Sequence, residues 1–380
     1  MKNLIRRTAF VLSLGLLLSA FASDVQAEPG VSAASAILME QSSRRVLMEV
    51  NARTRMPMAS TTKIMTALVA LEHCTDLSRE IRIPPEAVGI EGSSVYLKEG
   101  EPLTMEQLLH ALLLESANDA AAAIAIEIAG DIPAFAALMN ETAQRLSLAD
   151  THFTNPHGLD DPDHYTTAYD LALLACHAME NPDFARIAGT YRTTIPLNAG
   201  EGTRVLINHN KMLKLYDGAT GIKTGYTKKC GRCLVSAAER DGLTMIAVTL
   251  QAPDDWRDHT AMLDYGFAQY ENVALASEGE FRYELPVLGG TSATVRISNR
   301  EALSASLPRN HGVITVCAEA NHYQNAPIRL GDKVGTLVFC CDGKIIATLP
   351  LYAENDADAI PPKLSAADRL KEKLHITKQD

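Results

Sequence analysis

From Glu28 to about Asn272 the apolar positions switch between the two-residue period of strands and the 3.6-residue period of helices. Beyond about Glu278 the helical period disappears, and short strand patterns alternate with turns such as Gly289-Gly290 and Asp342-Gly343. That change predicts an α/β (α+β) domain over 28–272 followed by a small all-β domain over 278–360. Within the first domain, Ala36–Met39 and Arg45–Glu49 flank a polar turn and predict a hairpin. Thr61 to Glu72 is apolar on nearly every face, as a helix in a domain centre is. Thr104-Met105-Glu106-Gln107 is a capping box for a helix running to about Leu114, and Asp119 to Ala129 is an Ala-rich helix stopped by Gly130. Cys233–Ala238 and Leu243–Leu250 are strand-like runs joined through Arg240-Asp241-Gly242, a hairpin turn.

The two ends do not fit this alternation. Lys2, Arg6 and Arg7 precede an apolar run to about Phe21, and small-residue cleavage patterns follow at Ala20-Phe21-Ala22 and Val25-Gln26-Ala27. Residues 1–27 therefore read as a secretory signal peptide cleaved after Ala27, with Ala22 as second choice, and the apolar core is short for a membrane span. After Pro361-Pro362 the tail of 361–380 carries Leu364, Ala367, Leu370 and Leu374 at roughly helical spacing among charged residues. A solvated, partly helical tail and a weak membrane-surface anchor both fit it.

Removing the signal segment, with its three basic groups and Asp24, takes the formal charge from −11 to −13. An acidic chain without a basic run in its body argues against nucleic acid as a partner. No H-E-x-x-H occurs and the eleven histidines are scattered, so no metal and no cofactor is expected. The seven cysteines do not repeat as a disulfide scaffold does. Cys230-Gly231-Arg232-Cys233 has C-x-x-C spacing, but it falls between strand-like segments rather than at a helix start, where a thiolate is stabilised. The pair reads as ordinary buried or loop thiols, with Cys230 open to oxidation without being catalytic.

Three short motifs carry the chemistry. Ser60-Thr61-Thr62-Lys63, Ser116-Ala117-Asn118 and Lys223-Thr224-Gly225 occur once each, in that order. Singly each is weak, since S-x-x-K or S-x-N arises by chance about once in a chain this long. Singly, Ser60 and Asn118 would be helix caps and Lys223 a surface charge. Together they describe serine acyl transfer. Lys63 lies one helical turn from Ser60, and Ile64, Met65 and Leu68 would desolvate its ammonium and free an amine to accept the serine proton. At a helix start, Ser60 would also have free N–H groups facing an oxyanion. Ser116, in a break between helices, could relay a proton, and Asn118 could bind a substrate amide. Lys223, Thr224 and Gly225 on a strand offer a cation, a hydroxyl and an edge without side chain for an extended substrate.

With Met58–Thr66, Gly92-Ser93-Ser94, Asn155-Pro156-His157-Gly158-Leu159 and Gly221–Thr227 added, nearly the whole mature chain resembles the D-alanyl-D-alanine carboxypeptidases among the low-molecular-mass penicillin-binding proteins. The resemblance implies a transpeptidase/β-lactamase-like domain with a C-terminal β domain, export to the cell wall or the outer face of the membrane, and action on peptidoglycan stem peptides with β-lactams as inhibitors. It implies Ser60 as the acylated nucleophile, Lys63 as base, Ser116 and Asn118 assisting, and Lys223 with Thr224 holding substrate. The implied oxyanion donors are the backbone N–H groups of Ser60 and Tyr226. Arg257 fits a grip on the substrate carboxylate and fits a surface salt bridge nearly as well. No role follows for His157 beyond loop structure. A class A β-lactamase is disfavoured, because no E-x-x-L-N pattern lies between Asn118 and Lys223. A wall-binding protein without turnover is disfavoured by the complete motif set. A DD-endopeptidase stays open, since the same nucleophile can cut a crosslink.

Overall fold

A computed structural model describes residues 27–198 and 201–361. The signal segment before Ala27 and the tail beyond Pro361 lie outside the described residues. The chain forms two compact units that divide between Glu271 and Asn272.

The first unit begins with strands β1 (Ser35–Glu40) and β2 (Val46–Val50), then a 3₁₀ turn over Ala59–Thr62 that runs directly into helix α1 (Lys63–His73). Two short strands follow, β3 (Glu80–Arg82) and β4 (Pro102–Thr104), and then helices α2 (Met105–Leu114), α3 (Asn118–Ala129), α4 (Ile132–Arg145), α5 (Ala168–Glu180) and α6 (Pro182–Ala188). The hairpin β5 (Arg192–Leu197) and β6 (Gly202–Ile207), the single turn α7 (Met212–Leu215), strands β7 (Ala219–Thr227), β8 (Gly231–Arg240) and β9 (Leu243–Leu250), and helix α8 (Asp255–Gln269) complete it.

Strands β3–β4 and β5–β6 pair as separate two-stranded sheets, and the other five form one antiparallel sheet in the order β2-β1-β9-β8-β7. Period-two alternation explains how it is buried on both faces. Ile37 and Met39 of β1, with Ile246 and Val248 of β9, join the core around α1 to α6, while Ala36, Leu38, Met245 and Ala247 point the other way, onto Met262 and Leu263 of α8. Gly266 lets α8 lie close, since a Cβ there would sit 2.9 Å from Leu38 Cδ2 and 3.2 Å from Met245 Sδ. The expected helix ends are present. Thr104 and Gln107 make both capping-box bonds, and Gly130 closes α3 in the left-handed region. The β8–β9 turn places Asp241 and Gly242 at φ 52° and 73°, as a tight hairpin requires. Among the described residues no single helix is long and apolar enough to cross a membrane.

The second unit is all-β among its described residues. Strands β10 (Tyr270–Ala276), β11 (Arg282–Leu288), β12 (Thr294–Ser298), β13 (Leu303–Pro308), β14 (Ile314–Ala320), β15 (Gln324–Asn325), β16 (Lys333–Cys341) and β17 (Lys344–Ala353) form a six-stranded sheet, β14-β16-β17-β12-β11-β15, and a two-stranded one, β10-β13. Val295, Leu337, Phe339, Leu349 and Leu351 centre its own core. The longest pair, β16–β17, turns at Asp342-Gly343 with φ 49° and 75°.

Candidate active site

The first motif is built as a strained turn. Ala59 sits at φ 46°, in the left-handed region that costs a non-glycine residue roughly 1–2 kcal/mol. Hydrogen bonds hold it there: Thr61 Oγ1 donates to the Met58 carbonyl at 2.6 Å and Thr62 Oγ1 to the Ala59 carbonyl at 2.7 Å. His164 completes the chain. Its Nδ1 accepts from the Thr154 N–H at 3.0 Å, which leaves Nε2 to donate to Thr62 Oγ1 at 2.7 Å. Ser60 lies in the 3₁₀ turn rather than in the α-helix, whose first residue is Lys63.

Lys63 is wholly buried. Its Nζ lies 3.0 Å from Ser60 Oγ, 2.7 Å from Asn118 Oδ1 and 2.6 Å from the His157 carbonyl oxygen. The two carbonyl oxygens can only accept, so they take two N–H bonds. In a neutral amine the remaining lone pair then faces Ser60 Oγ. Burial, and after it the nearby Lys223 ammonium, hold Lys63 well below the usual lysine range. Burial also lowers His157 to about 3 and His164 to about 4, so both rings are neutral when folded.

The His157 carbonyl is a partner that no side-chain pattern announces. The loop around it is fixed by Asn155, whose Oδ1 accepts from the N–H groups of His157 and Gly158 at 3.3 and 2.7 Å, and by Thr66 Oγ1 donating to the Pro156 carbonyl at 2.6 Å. Gly158, at φ 86°, lies against the nucleophile turn: a Cβ there would be 2.0 Å from the Ala59 carbonyl oxygen.

In the second motif Ser116 adopts φ 59° and its buried Oγ has no hydrogen-bond partner among the described residues. Asn118 is the first residue of α3 and is buried, with Oδ1 on Lys63 and Nδ2 donating to the Glu91 carbonyl. Both polar atoms of the Asn118 amide are thus engaged within the protein, one of them on Lys63. Its neighbour Asp119 accepts from Ser94 Oγ at 2.6 Å and from the Leu97 N–H at 3.0 Å, folding the 91–97 loop over the motif. Arg204 reaches the same region, pairing with buried Glu101 and donating to the Val95 carbonyl at 2.8 Å.

The third motif lies on β7, the edge strand, with its backbone open on one side. Gly225 faces the nucleophile turn, since a Cβ there would be 3.1 Å from both Ser60 N and the Met58 carbonyl. Lys223 is buried rather than a surface charge, donates to the Thr224 carbonyl at 3.0 Å, and is lowered by burial to about 7.

A cleft of about 710 Å³ opens over this assembly. Ser60, Ser93 and Ser116 line one side, Thr224, Gly225 and Tyr226 another, and Tyr191, Ile207, Leu215 and Trp256 give it apolar walls. Arg257 is not among the lining residues. Its side chain is 82 % exposed and, among the described residues, pairs with Asp254 at 4.0 Å. Asp255, Asp258, His259, Met262, Leu263 and Gly266 form the buried stripe of α8, and Arg257 falls on the opposite face. The arginine in the cleft is Arg232 of β8, held by two bonds to Asp255 Oδ1 at 3.0 and 2.7 Å, with Trp256 5.5 Å from its guanidinium.

Comparison with known proteins gives the class. Residues 22–254 match the family model described as D-alanyl-D-alanine carboxypeptidase, and residues 270–359 match the C-terminal domain of penicillin-binding protein 5. The chain belongs to the D-alanyl-D-alanine carboxypeptidase family, and it is a serine-type D-Ala-D-Ala carboxypeptidase. It is 32 % identical over 368 residues to D-alanyl-D-alanine carboxypeptidase DacF of Bacillus subtilis, covering 92 % of this chain and 94 % of the other. The structure is similar to penicillin-binding protein 5 from Haemophilus influenzae, with a TM-score of 0.72, 27 % identity and coverage of 88 % and 99 %. It is also similar to a variant of the Streptomyces K15 DD-transpeptidase, with a TM-score of 0.60, 33 % identity and coverage of 63 % and 99 %.

Proposed function

We propose that the cleft removes the terminal D-alanine from peptidoglycan stem pentapeptides outside the cytoplasm, through an acyl-enzyme on Ser60. The observation that carries this reading is the Lys63 amine, desolvated and tied by two carbonyl oxygens so that its lone pair faces Ser60 Oγ. The stem peptide extends along the open edge of β7 beside Thr224 and Gly225. Lys63 takes the Ser60 proton as Oγ attacks the penultimate D-alanine carbonyl. The backbone N–H groups of Ser60 and Tyr226 receive the oxyanion. The unpaired Ser116 hydroxyl passes the proton to the departing amine. Asn118 and the His157 carbonyl hold Lys63, while the buried Lys223 amine donates to the Thr224 carbonyl of the same strand. Arg232, oriented by Asp255, faces the terminal carboxylate in place of Arg257. β-Lactams acylate the same serine, because their strained amide mimics the scissile bond.

Incubating the protein with a stem pentapeptide and weighing the products tests the reading, with release of one D-alanine as the expected result. Products that appear only from a crosslinked dimer would make it an endopeptidase instead. Arg232→Ala should raise KM about 10-fold or more, the cost of a lost charge-assisted bond, with a smaller change in kcat. An unchanged KM would remove Arg232 from the site.

The lowered pKa of Lys63 sets the pH dependence. Acylation should rise with pH as Lys63 loses its proton, well below the range of a free lysine. Because the Lys223 charge helps to depress Lys63, Lys223→Gln should move this rise to higher pH. Acylation rates against pH for both proteins provide the check, and a profile flat from about pH 5 to about 11 would count against a lysine base.

The tail, we infer, gives weak, salt-dependent contact with an anionic membrane surface. Vesicle sedimentation with and without residues 362–380 tests it. Salt-resistant binding would indicate a stronger anchor, and no binding at low salt a plain solvated tail.

A further inference from the structure

The C-x-x-C segment brackets Arg232, and its two sulfurs are already in contact. Cys230 Sγ and Cys233 Sγ lie 3.4 Å apart. In a regular strand, residues three apart point to opposite faces. Here Gly231, at φ 69°, turns the chain so that Cys230 folds back beneath β8 onto Cys233. The Cys230 N–H donates to Thr227 Oγ1 at 3.0 Å, and that hydroxyl donates to Asp160 at 3.1 Å, which fixes the turn. The pair is next to the chemistry. Cys233 lines the cleft and pairs in register with Gly225, and Arg232 pairs with Tyr226.

We propose that Cys230 and Cys233 form a dithiol–disulfide pair whose redox state sets the position of Arg232 on the cleft wall. A disulfide needs its sulfurs about 2.05 Å apart, so each side chain must move by less than about 1 Å. The short ring it closes contains Gly231 and Arg232. Closure therefore displaces the start of the guanidinium's own stem, and through the register of the hairpin it reaches the Tyr226 N–H.

The oxidant is a small disulfide, RSSR, or an extracytoplasmic dithiol–disulfide protein of the same chemistry. The Cys230 thiolate attacks one sulfur of RSSR, expelling RS⁻ and leaving a mixed disulfide. The Cys233 thiolate then attacks the Cys230 sulfur and expels the second RS⁻. Two thiols and RSSR become one intramolecular disulfide and two RSH, with both protons and both electrons accounted for. Hydrogen bonding from Cys233 lowers the pKa of Cys230, while Cys233 is raised, which makes Cys230 the first nucleophile. Both residues are buried in the folded chain, so exchange is fast while the hairpin is open and slow once it has closed. A protein folding outside the cytoplasm meets such oxidants at that stage.

The effect on catalysis rests on the reading of Arg232 as the carboxylate partner; the crosslink itself does not. The full chain is refolded in glutathione buffers of graded oxidised-to-reduced ratio, alkylated, digested and weighed. The expected result is a Cys230–Cys233 link that appears with rising ratio while Cys74 and Cys176 remain alkylated. KM for a pentapeptide should differ about threefold or more between the two forms, and Cys230→Ser should show one KM at every ratio. No such link at any ratio, or links only to other cysteines, would overturn the pair. A link with equal KM in both forms would overturn its control of Arg232. An Arg232→Ala protein with unchanged KM but an intact link would place the failure in the carboxylate reading instead.

Discussion

Lys63→Ala should lose penicillin labelling and D-alanine release as completely as Ser60→Ala, by at least about 10⁴-fold, and the double variant should lose little more. The two groups form one unit, since Nζ stands 3.0 Å from Oγ and its other two contacts are carbonyl oxygens that cannot remove a proton. The two histidines of the surrounding loop cannot substitute. The His157 carbonyl, not its ring, touches Lys63, and the His164 ring is engaged by Thr154 and Thr62. Labelling with a fluorescent penicillin followed by peptide mapping measures this directly. Retained labelling at another residue would sink the assignment of Ser60. A Lys63→Ala protein that still acylates at a tenth of the native rate would sink the lysine base.

The next largest effect is expected at a residue that contributes no side chain to the chemistry, Gly158. Alanine there places a Cβ 2.0 Å from the Ala59 carbonyl oxygen, which is backbone and cannot swing aside, and it does so at φ 86°. Either the loop withdraws, taking the His157 carbonyl from Lys63, or the turn moves and carries Ser60 with it. A displacement of about 1 Å at reacting atoms costs roughly 10²-fold, so Gly158→Ala should acylate at least that much more slowly and melt at lower temperature. Thermal denaturation beside acylation kinetics separates the two effects. Near-native values for both would mean that the loop and the turn are not in contact.

What could be read from the chain was what is local. The capping box at Thr104, the stop at Gly130 and the Asp241-Gly242 turn are decided within a few residues, and each is present in the fold. Ser60 and Lys63 were equally legible, because three residues fix their relation on one turn. The His157 carbonyl was not, since every residue has a carbonyl and only tertiary folding brings this one to Lys63. Of the two readings of Arg257, the surface pair is the one whose contact is present. The stripe of His259, Met262, Leu263 and Gly266 already fixed the inward face of α8, and extending it back by one turn puts Arg257 outside. Arg232 gave no such signal, because its role depends on Asp255, which lies 23 positions later in the chain. The protein partners of Asn118 were not legible either. Its bonds to Lys63 and to the Glu91 carbonyl arise between segments 55 and 27 positions away.

The sheet that carries the third motif is closed by its ends, with Ser35 of β1 opposite Leu250 of β9. Gly225 of β7 can press on the Ser60 turn only when that strand has been placed, and β7 reaches the sheet through β8 and β9. Contacts of such long range form late, because the entropy of closing large loops must be met before they return any stabilisation. Ser60 therefore gains its contact with β7 only after these long-range pairings have formed. Helices α1 to α5 can be complete while Gly225 is still away from the Ser60 turn. On the function proposed above, catalysis and acylation by a β-lactam both wait for that strand.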